Sequence, residues 1–155
     1  MPPYSFDWVD AFTETPFGGN ACAVVHDAAD LAVEDRLALV RETSLSECAY
    51  LVGSDTADFG ARYYLATREI LMAGHPTIAT IASLIHRGLV TPTPEGTAFT
   101  LEVGAADARF EFSEPNPVRL DRFSVDAGAS SVEAHATPAI RMIGRSSTAP
   151  RRRRT

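Results

Sequence analysis

At 155 residues and 45% hydrophobic content, the chain is long enough for one domain with a core of its own. Its charge is lopsided: residues 1–140 carry 20 acidic against eight basic side chains, a net −12, whereas residues 141–155 carry six arginines and no acid. An acidic body argues against a nucleic-acid partner, and two cysteines, Cys22 and Cys48, without CxxC or Cys/His spacing argue against a metal centre or a disulfide framework. With no basic and apolar leader and no membrane-length apolar run, the expected setting is the cytoplasm, away from membranes.

Taken in order, residues 4–12 (YSFDWVDAF) alternate aromatic and polar side chains and read as a first strand. The loop that follows is rich in breakers. Gly18, Gly19 and Asn20 permit positive φ and a close backbone approach, which suits either an ordinary hairpin or crossover turn or the wall of a ligand pocket. Residues 21–25 (ACAVV) read as a short buried strand. A helix capped from residues 27–30 is expected to run to Ser44, with Val33, Leu37 and Val40 inward and Glu34, Asp35, Arg41 and Glu42 outward. Glu47 then stands at the junction between a polar loop and the apolar run 48–52. Such a position can aim a side chain into a cleft from a rigid support, though an acid there is also an ordinary solvated loop residue. Residues 60–66 read as a further strand, followed by a polar turn at 67–69.

The most informative stretch is residues 72–88 (MAGHPTIATIASLIHRG). Thr77 or His75 can cap a helix, Pro76 suits its first turn, and Gly88 supplies the stop. Ile78, Ala79, Ile81, Ala82, Leu84 and Ile85 form a stripe too wide for a surface helix, so a central core helix with a functional N-terminus is expected. Residues 98–103 and 107–113 alternate as a hairpin around Gly104, and residues 118–125 can form one more strand. The pattern decays from Glu114 onward, residues 140–143 form a last apolar cluster, and residues 145–155 are one-signed and without period. Such a tail is expected to be disordered, and four terminal arginines on an acidic body are weak evidence for a nucleic-acid or acidic-lipid partner.

Four stretches stand together in order: Val9-Asp10-Ala11-Phe12-Thr13, Phe17-Gly18-Gly19-Asn20, Leu45-Ser46-Glu47 and Ala73-Gly74-His75-Pro76-Thr77. Together they resemble the phenazine-biosynthesis PhzF-like isomerases, which share the fold of diaminopimelate epimerase. The resemblance implies an α+β lobe in which a barrel-like β-sheet wraps a central helix, facing a second such lobe across the active site. It assigns the catalytic acid/base to Glu47 and a place in the substrate pocket to Gly74 and His75, with Gly18, Gly19 and Asn20 shaping the pocket wall. Moving a proton between carbons needs a carboxyl that can take and return it away from water. A helix N-terminus offers free N–H groups to a substrate carboxylate, and His75 can donate a hydrogen bond or join the proton relay.

The departures carry information too. The epimerase relatives place a cysteine just before the helix glycine, where this chain has Ala73, so carboxylate chemistry is expected rather than a thiol pair. The Arg62–Thr67 stretch lacks the family's Thr-Pro, and no counterpart is found for the second lobe's pocket-lining groups. Residues 1–126 are therefore expected to form an N-terminal lobe and residues 127–155 a divergent, disordered arginine-rich tail, as in a truncated or frame-shifted reading. The implied function is a biosynthetic isomerase or epimerase acting on a small carboxylate-bearing metabolite without metal or cofactor. Its partner is expected to be a second copy or a complementary lobe. The alternative is a catalytically silent lobe that serves as a dimerising or binding module.

Overall fold

Short apolar runs separated by turn residues pair into one mixed sheet, seen in a computed structural model that describes residues 3–13, 15, 17–93, 97–104, 106–112, 122–126, 131–134 and 140–142. The elements are β1 (Phe6–Ala11), β2 (Asn20–Val25), α1 (Val33–Thr43), β3 (Cys48–Val52), β4 (Phe59–Tyr64), β5 (Glu69–Ile70), α2 (Gly74–His86), β6 (Thr97–Val103), β7 (Ala106–Phe112), β8 (Arg122–Asp126), β9 (Ser131–Ala134) and β10 (Ile140–Met142). The strand order is β10-β1-β2-β3-β4-β6-β7-β8-β9, with β5 attached to β4. Two neighbouring pairs, β2/β3 and β4/β6, are parallel. A parallel pair needs a crossover, and α1 and α2 supply the two.

This connectivity explains where the helices lie. Both crossovers advance the same way along the sheet, but β4 runs antiparallel to β3 and so opposite to β2. Right-handed crossovers of that kind must fall on opposite faces. The core is divided accordingly. Val9, Cys22, Val24, Ala49, Leu51 and Tyr63 pack with α2, whereas Ala23, Val25, Cys48, Tyr50 and Tyr64 pack on the side of α1. Successive residues of β2 serve the two cores alternately, as a pleated strand requires.

The sheet is open rather than barrel-like: β9 and β10 stand at opposite ends of the order, and among the described residues no pairing joins them. The antiparallel ladder from β6 to β9 runs onward instead of returning to β10. The wrap around the helix is partial, formed by β1, β2, β3 and β10 against α2.

The central helix matches its sequence pattern closely. Every residue from Pro76 to Leu84 is buried. Gly88 adopts φ +69°, Gly88 N–H donates to the Ile85 carbonyl and Leu89 N–H to the Leu84 carbonyl, closing the helix with a Schellman motif. The start differs from expectation. Ala73 occupies the N-cap and makes no side-chain cap, because Thr77 Oγ1 bonds the Ala73 carbonyl (2.7 Å) and the Tyr63 hydroxyl (2.9 Å) instead.

Elsewhere, α1 starts at Val33, later than the acids at 27–30 suggest, because Ala28 N–H is held by the Leu51 carbonyl and Leu31 N–H closes a turn onto Ala28. Val33 is exposed, and Arg36 is buried in its stead, donating to the Ala28 carbonyl and lying over the Tyr50 and Tyr64 rings. The segment read as a tail, 127–155, contains β9 and β10, while residues 145–155 lie outside the described residues. Among the described residues no helix is long and apolar enough to cross a membrane.

Because Ile81 is 1% exposed within the α2 core, Ile81→Asp is expected to yield no cooperatively folded protein. An unpaired buried charge costs several kcal/mol, comparable to the whole stability of a domain. A cooperative thermal transition by circular dichroism in the soluble variant would contradict the central place given to α2.

Candidate active site at the N-terminus of the central helix

Strand register gathers the site. Parallel pairing of β2 with β3 sets Ala23 opposite Cys48, so the chain segments entering both strands lie at one end of the sheet. The antiparallel strand β4 finishes there, Tyr64 opposite Cys48, and β5 leads on into α2. Asn20, Glu47 and the Gly74-His75 start of α2 are thereby brought to the same pole.

Glu47 and His75 meet directly, with Glu47 Oε2 3.2 Å from His75 Nδ1. Their side chains are 20% and 10% exposed. Burial lowers the pKa of His75, and the Glu47 carboxylate and the Ala21 carbonyl oppose that shift without cancelling it. His75 is therefore neutral at pH 7. The contact places Nδ1 where a ring protonated on that nitrogen donates to the Glu47 side chain. The ring's Nε2 is buried without a hydrogen-bond partner among the described residues.

Beside this pair the first turn of α2 is open. No side chain caps it, and a Cβ built on Gly74 would meet nothing within 4 Å. Uncapped N–H groups at the positive end of a helix form a ready anion site.

The loop between β1 and β2 is fixed by its own motif. Asp10, 3% exposed, accepts the Phe17 N–H at 2.8 Å, and Thr13 Oγ1 donates to the Thr15 carbonyl while accepting the Thr15 N–H. A Cβ on Gly19 would sit 2.1 Å from the Ala11 carbonyl oxygen, so only glycine fits there. Gly18, Gly19 and Asn20 are exposed at this pole, with no hydrogen bond to Glu47 or His75. Of the residues singled out in the sequence, Glu47 and His75 touch, Gly74 adjoins them, and the loop residues stand alongside. Cys22 and Cys48 are free and fully buried on opposite faces of the sheet, and burial pushes both thiols up.

A second polar centre, at the far end of α2, escaped the sequence reading. Asp7, 2% exposed, binds Arg87 through both carboxylate oxygens at 2.8 Å and accepts the Ser83 hydroxyl at 2.6 Å. His26 Nε2 lies 3.1 Å from the same Asp7 oxygen and 2.7 Å from Ser83 Oγ. Although burial pushes the Asp7 carboxyl up, Arg87 and Ser83 outweigh it and hold it below the usual range. Ser, His and Asp are thus assembled, but not as a nucleophilic triad: one ring nitrogen faces both partners, and the serine donates straight to the acid. Three or more His, Cys, Asp or Glu side chains grouped as a metal site are absent among the described residues.

A mixed sheet packed around a central helix is the fold shared with PhzF-family and proline-racemase-like structures. The family model "Phenazine biosynthesis-like protein" matches residues 9–136, and the chain belongs to that family. It is 42% identical over 71 residues to the uncharacterized isomerase YddE of Escherichia coli K12, an alignment covering 46% of this chain and 24% of that protein. An uncharacterized isomerase of Pseudomonas aeruginosa is 42% identical over 79 residues, covering 51% and 30%. Among solved structures, a Bacillus anthracis phenazine biosynthesis protein of the PhzF family superposes with a TM-score of 0.68 at 26% identity, covering 81% of this chain and 40% of that one. A hydroxyproline epimerase from Agrobacterium vitis, at 16% identity and TM-score 0.61, shares the fold. The chain spans well under half the length of these relatives.

The two buried histidines give stability a defined pH dependence. Burial lowers both His26 and His75 from the ordinary value of 6.5. As pH falls below 6.5 the unfolded chain takes up protons before the folded one, so stability present above that value is lost on acidification. Asp7, lowered from 3.8, adds a further loss below that pH. The urea midpoint is therefore expected to be lower at pH 5 than at pH 7.5; a midpoint that is flat or rises on acidification would contradict the burial of these rings.

Proposed function

We propose that the α2 N-terminus is one wall of an isomerase or epimerase active site in which Glu47 moves a proton on a small carboxylate-bearing metabolite. The observation that carries this reading is the Glu47–His75 contact at an uncapped helix start. The substrate carboxylate binds at the free N–H groups of the first turn, where Gly74 leaves room. This sets a carbon-bound proton before Glu47. The carboxylate accepts that proton while His75 Nδ1–H orients it, and Glu47 returns the proton to a neighbouring carbon on the same face; inversion at the same carbon requires a second acid on the opposite face, which the opposing wall would have to supply. Gly18, Gly19 and Asn20 form the flanking wall. The chemistry needs no cofactor and no metal, and two free buried thiols suit a cytoplasmic setting.

The opposing wall is proposed to come from a complementary lobe, in a longer chain or from a second copy. Phe12, Phe17, Leu71 and Met72 support this, since all four are exposed and border this pole (50%, 85%, 66% and 39%). Bare apolar surface of that kind marks an interaction face. The same rim favours a second reading, in which the lobe is catalytically silent and acts as a dimerising or binding module. Under either reading light scattering at tens of micromolar is expected to report a dimer, and Phe17→Ser with Leu71→Ser to return a monomer. A wild-type monomer would remove the rim as support.

The isomerase reading is tested by solvent-deuterium incorporation into a panel of cyclic and acyclic amino and hydroxy acids. Glu47→Gln preserves size but cannot exchange a proton, and is expected to lower incorporation by about 10²–10⁴ while substrate still binds. His75→Ala is expected to weaken binding and turnover together. Cys48→Ala and Cys22→Ser should be nearly silent; a dead Cys48→Ala beside an active Glu47→Gln would sink the carboxylate mechanism.

A further inference from the structure

The far end of α2 holds a cavity of about 500 Å³, within the range of small-molecule sites. It is floored by Leu51, Phe59 and Leu84 and rimmed by Asp27, Asp30 and Asp58, with His26 in its wall. Leu84 lies ten residues along α2 from Gly74, about 15 Å at the helical rise, so this cavity is separate from the Glu47 pole.

We infer that this cavity is a binding site for a small primary or secondary ammonium ion carrying an apolar body. The argument starts from His26, whose side chain is 6% exposed. Asp7, held ionised by the two-pronged Arg87 contact, can only accept, and Ser83 spends its proton on Asp7. Both groups facing Nε2 are therefore acceptors, and Nε2 must carry the ring proton. A neutral ring then has a bare lone pair on Nδ1, which makes no hydrogen bond among the described residues. His26 lines the cavity, so this acceptor stands in its wall, and its complement is an N–H or O–H donor.

Charge chooses between those donors. Asp27 and Asp30 have no cationic partner among the described residues, so their field at the cavity mouth favours a cation and repels a carboxylate or phosphate. A metal ion is disfavoured, since no three ligating side chains are grouped among the described residues. The floor of Leu51, Phe59 and Leu84 takes the apolar body. Asp27 is also held at φ +52°, a left-handed conformation unusual for a side-chain-bearing residue and common at functional turns.

The test uses the full 155-residue chain with three probes of matched shape: 2-phenylethylamine, 2-phenylethanol and 3-phenylpropionate. Binding is followed by the His26 ring nitrogen shifts in long-range ¹H–¹⁵N spectra. The amine is expected to bind and shift Nδ1 more than Nε2, with the alcohol at least about tenfold weaker and the acid weaker still. Asp27→Asn with Asp30→Asn, in which asparagine tolerates the same left-handed turn, should weaken the amine about tenfold. Leu89→Trp, at an exposed lining position, should block the cavity without entering the core. Equal affinity for amine and alcohol would overturn the ammonium assignment, as would indifference to the double asparagine variant. No binding at about 10 mM, or amine binding that leaves Nδ1 unmoved, would overturn the site itself.

Discussion

A helix that is dry along its length and open at its first turn is the constraint on which the rest of this lobe depends. Nine consecutive residues of α2 are buried, three of them hydroxyl-bearing. A buried hydroxyl left without a partner costs about 1–3 kcal/mol, so each must be satisfied within the wrap. Thr77 and Thr80 turn back on the Ala73 and Pro76 carbonyls, and Ser83 reaches out of the helix to Asp7. That last bond draws a charged strand residue into the core. Asp7 is tolerable there because Arg87, one turn further along, meets it with two hydrogen bonds.

The same arrangement makes the two ends of the helix chemically opposite. The N-terminal end is uncapped, with no acid in its first turn and Ala73 where a capping oxygen usually stands. Its partial positive charge is left for whatever binds there. At the C-terminal end the partial negative charge is met by Arg87, which is itself neutralised by Asp7, while Asp27 and Asp30 add uncompensated charge nearby. An anion-seeking pole and a cation-seeking pole are therefore consequences of one dipole and of where its capping charges were placed. The two proposed ligand classes, a carboxylate and an ammonium, follow this division.

What the sequence displays and what it hides follow a physical line. The span of α2, its stop at Gly88 and the hairpin about Gly104 are legible because they depend on local properties, apolar period and positive φ. The nearness of Glu47 and His75 came from the family resemblance; no spacing argument links the residue before β3 to the start of α2. Asp7 and Arg36 run against their patterns. Asp7 occupies a polar place in an alternating strand while Phe6 beside it is exposed, because three side chains distant in sequence, His26, Ser83 and Arg87, satisfy it. Arg36 falls on the inward stripe of α1 with Leu37 and Val40, where a charged side chain is unexpected, and two tyrosine faces and a carbonyl receive it. Closure of the sheet is a global property of strand order, which no local window contains.

Geometry also supports the proposed carboxylate chemistry over a thiol pair. Thiol-based proton transfer needs two cysteines facing one substrate, and this chain has two. They lie on neighbouring strands, Cys22 one residue before the Ala23 that pairs with Cys48. An offset of one in a pleated sheet puts the two side chains on opposite faces, Cys22 toward α2 and Cys48 toward α1. Neither reaches the open first turn of α2, and burial holds both as thiols. The position that would carry a thiol at the helix start is Ala73, whose methyl group leaves that turn uncapped. Glu47, largely buried and already in contact with His75, is the carboxylate that the backbone brings to that opening, which is why the proposed chemistry is assigned to it.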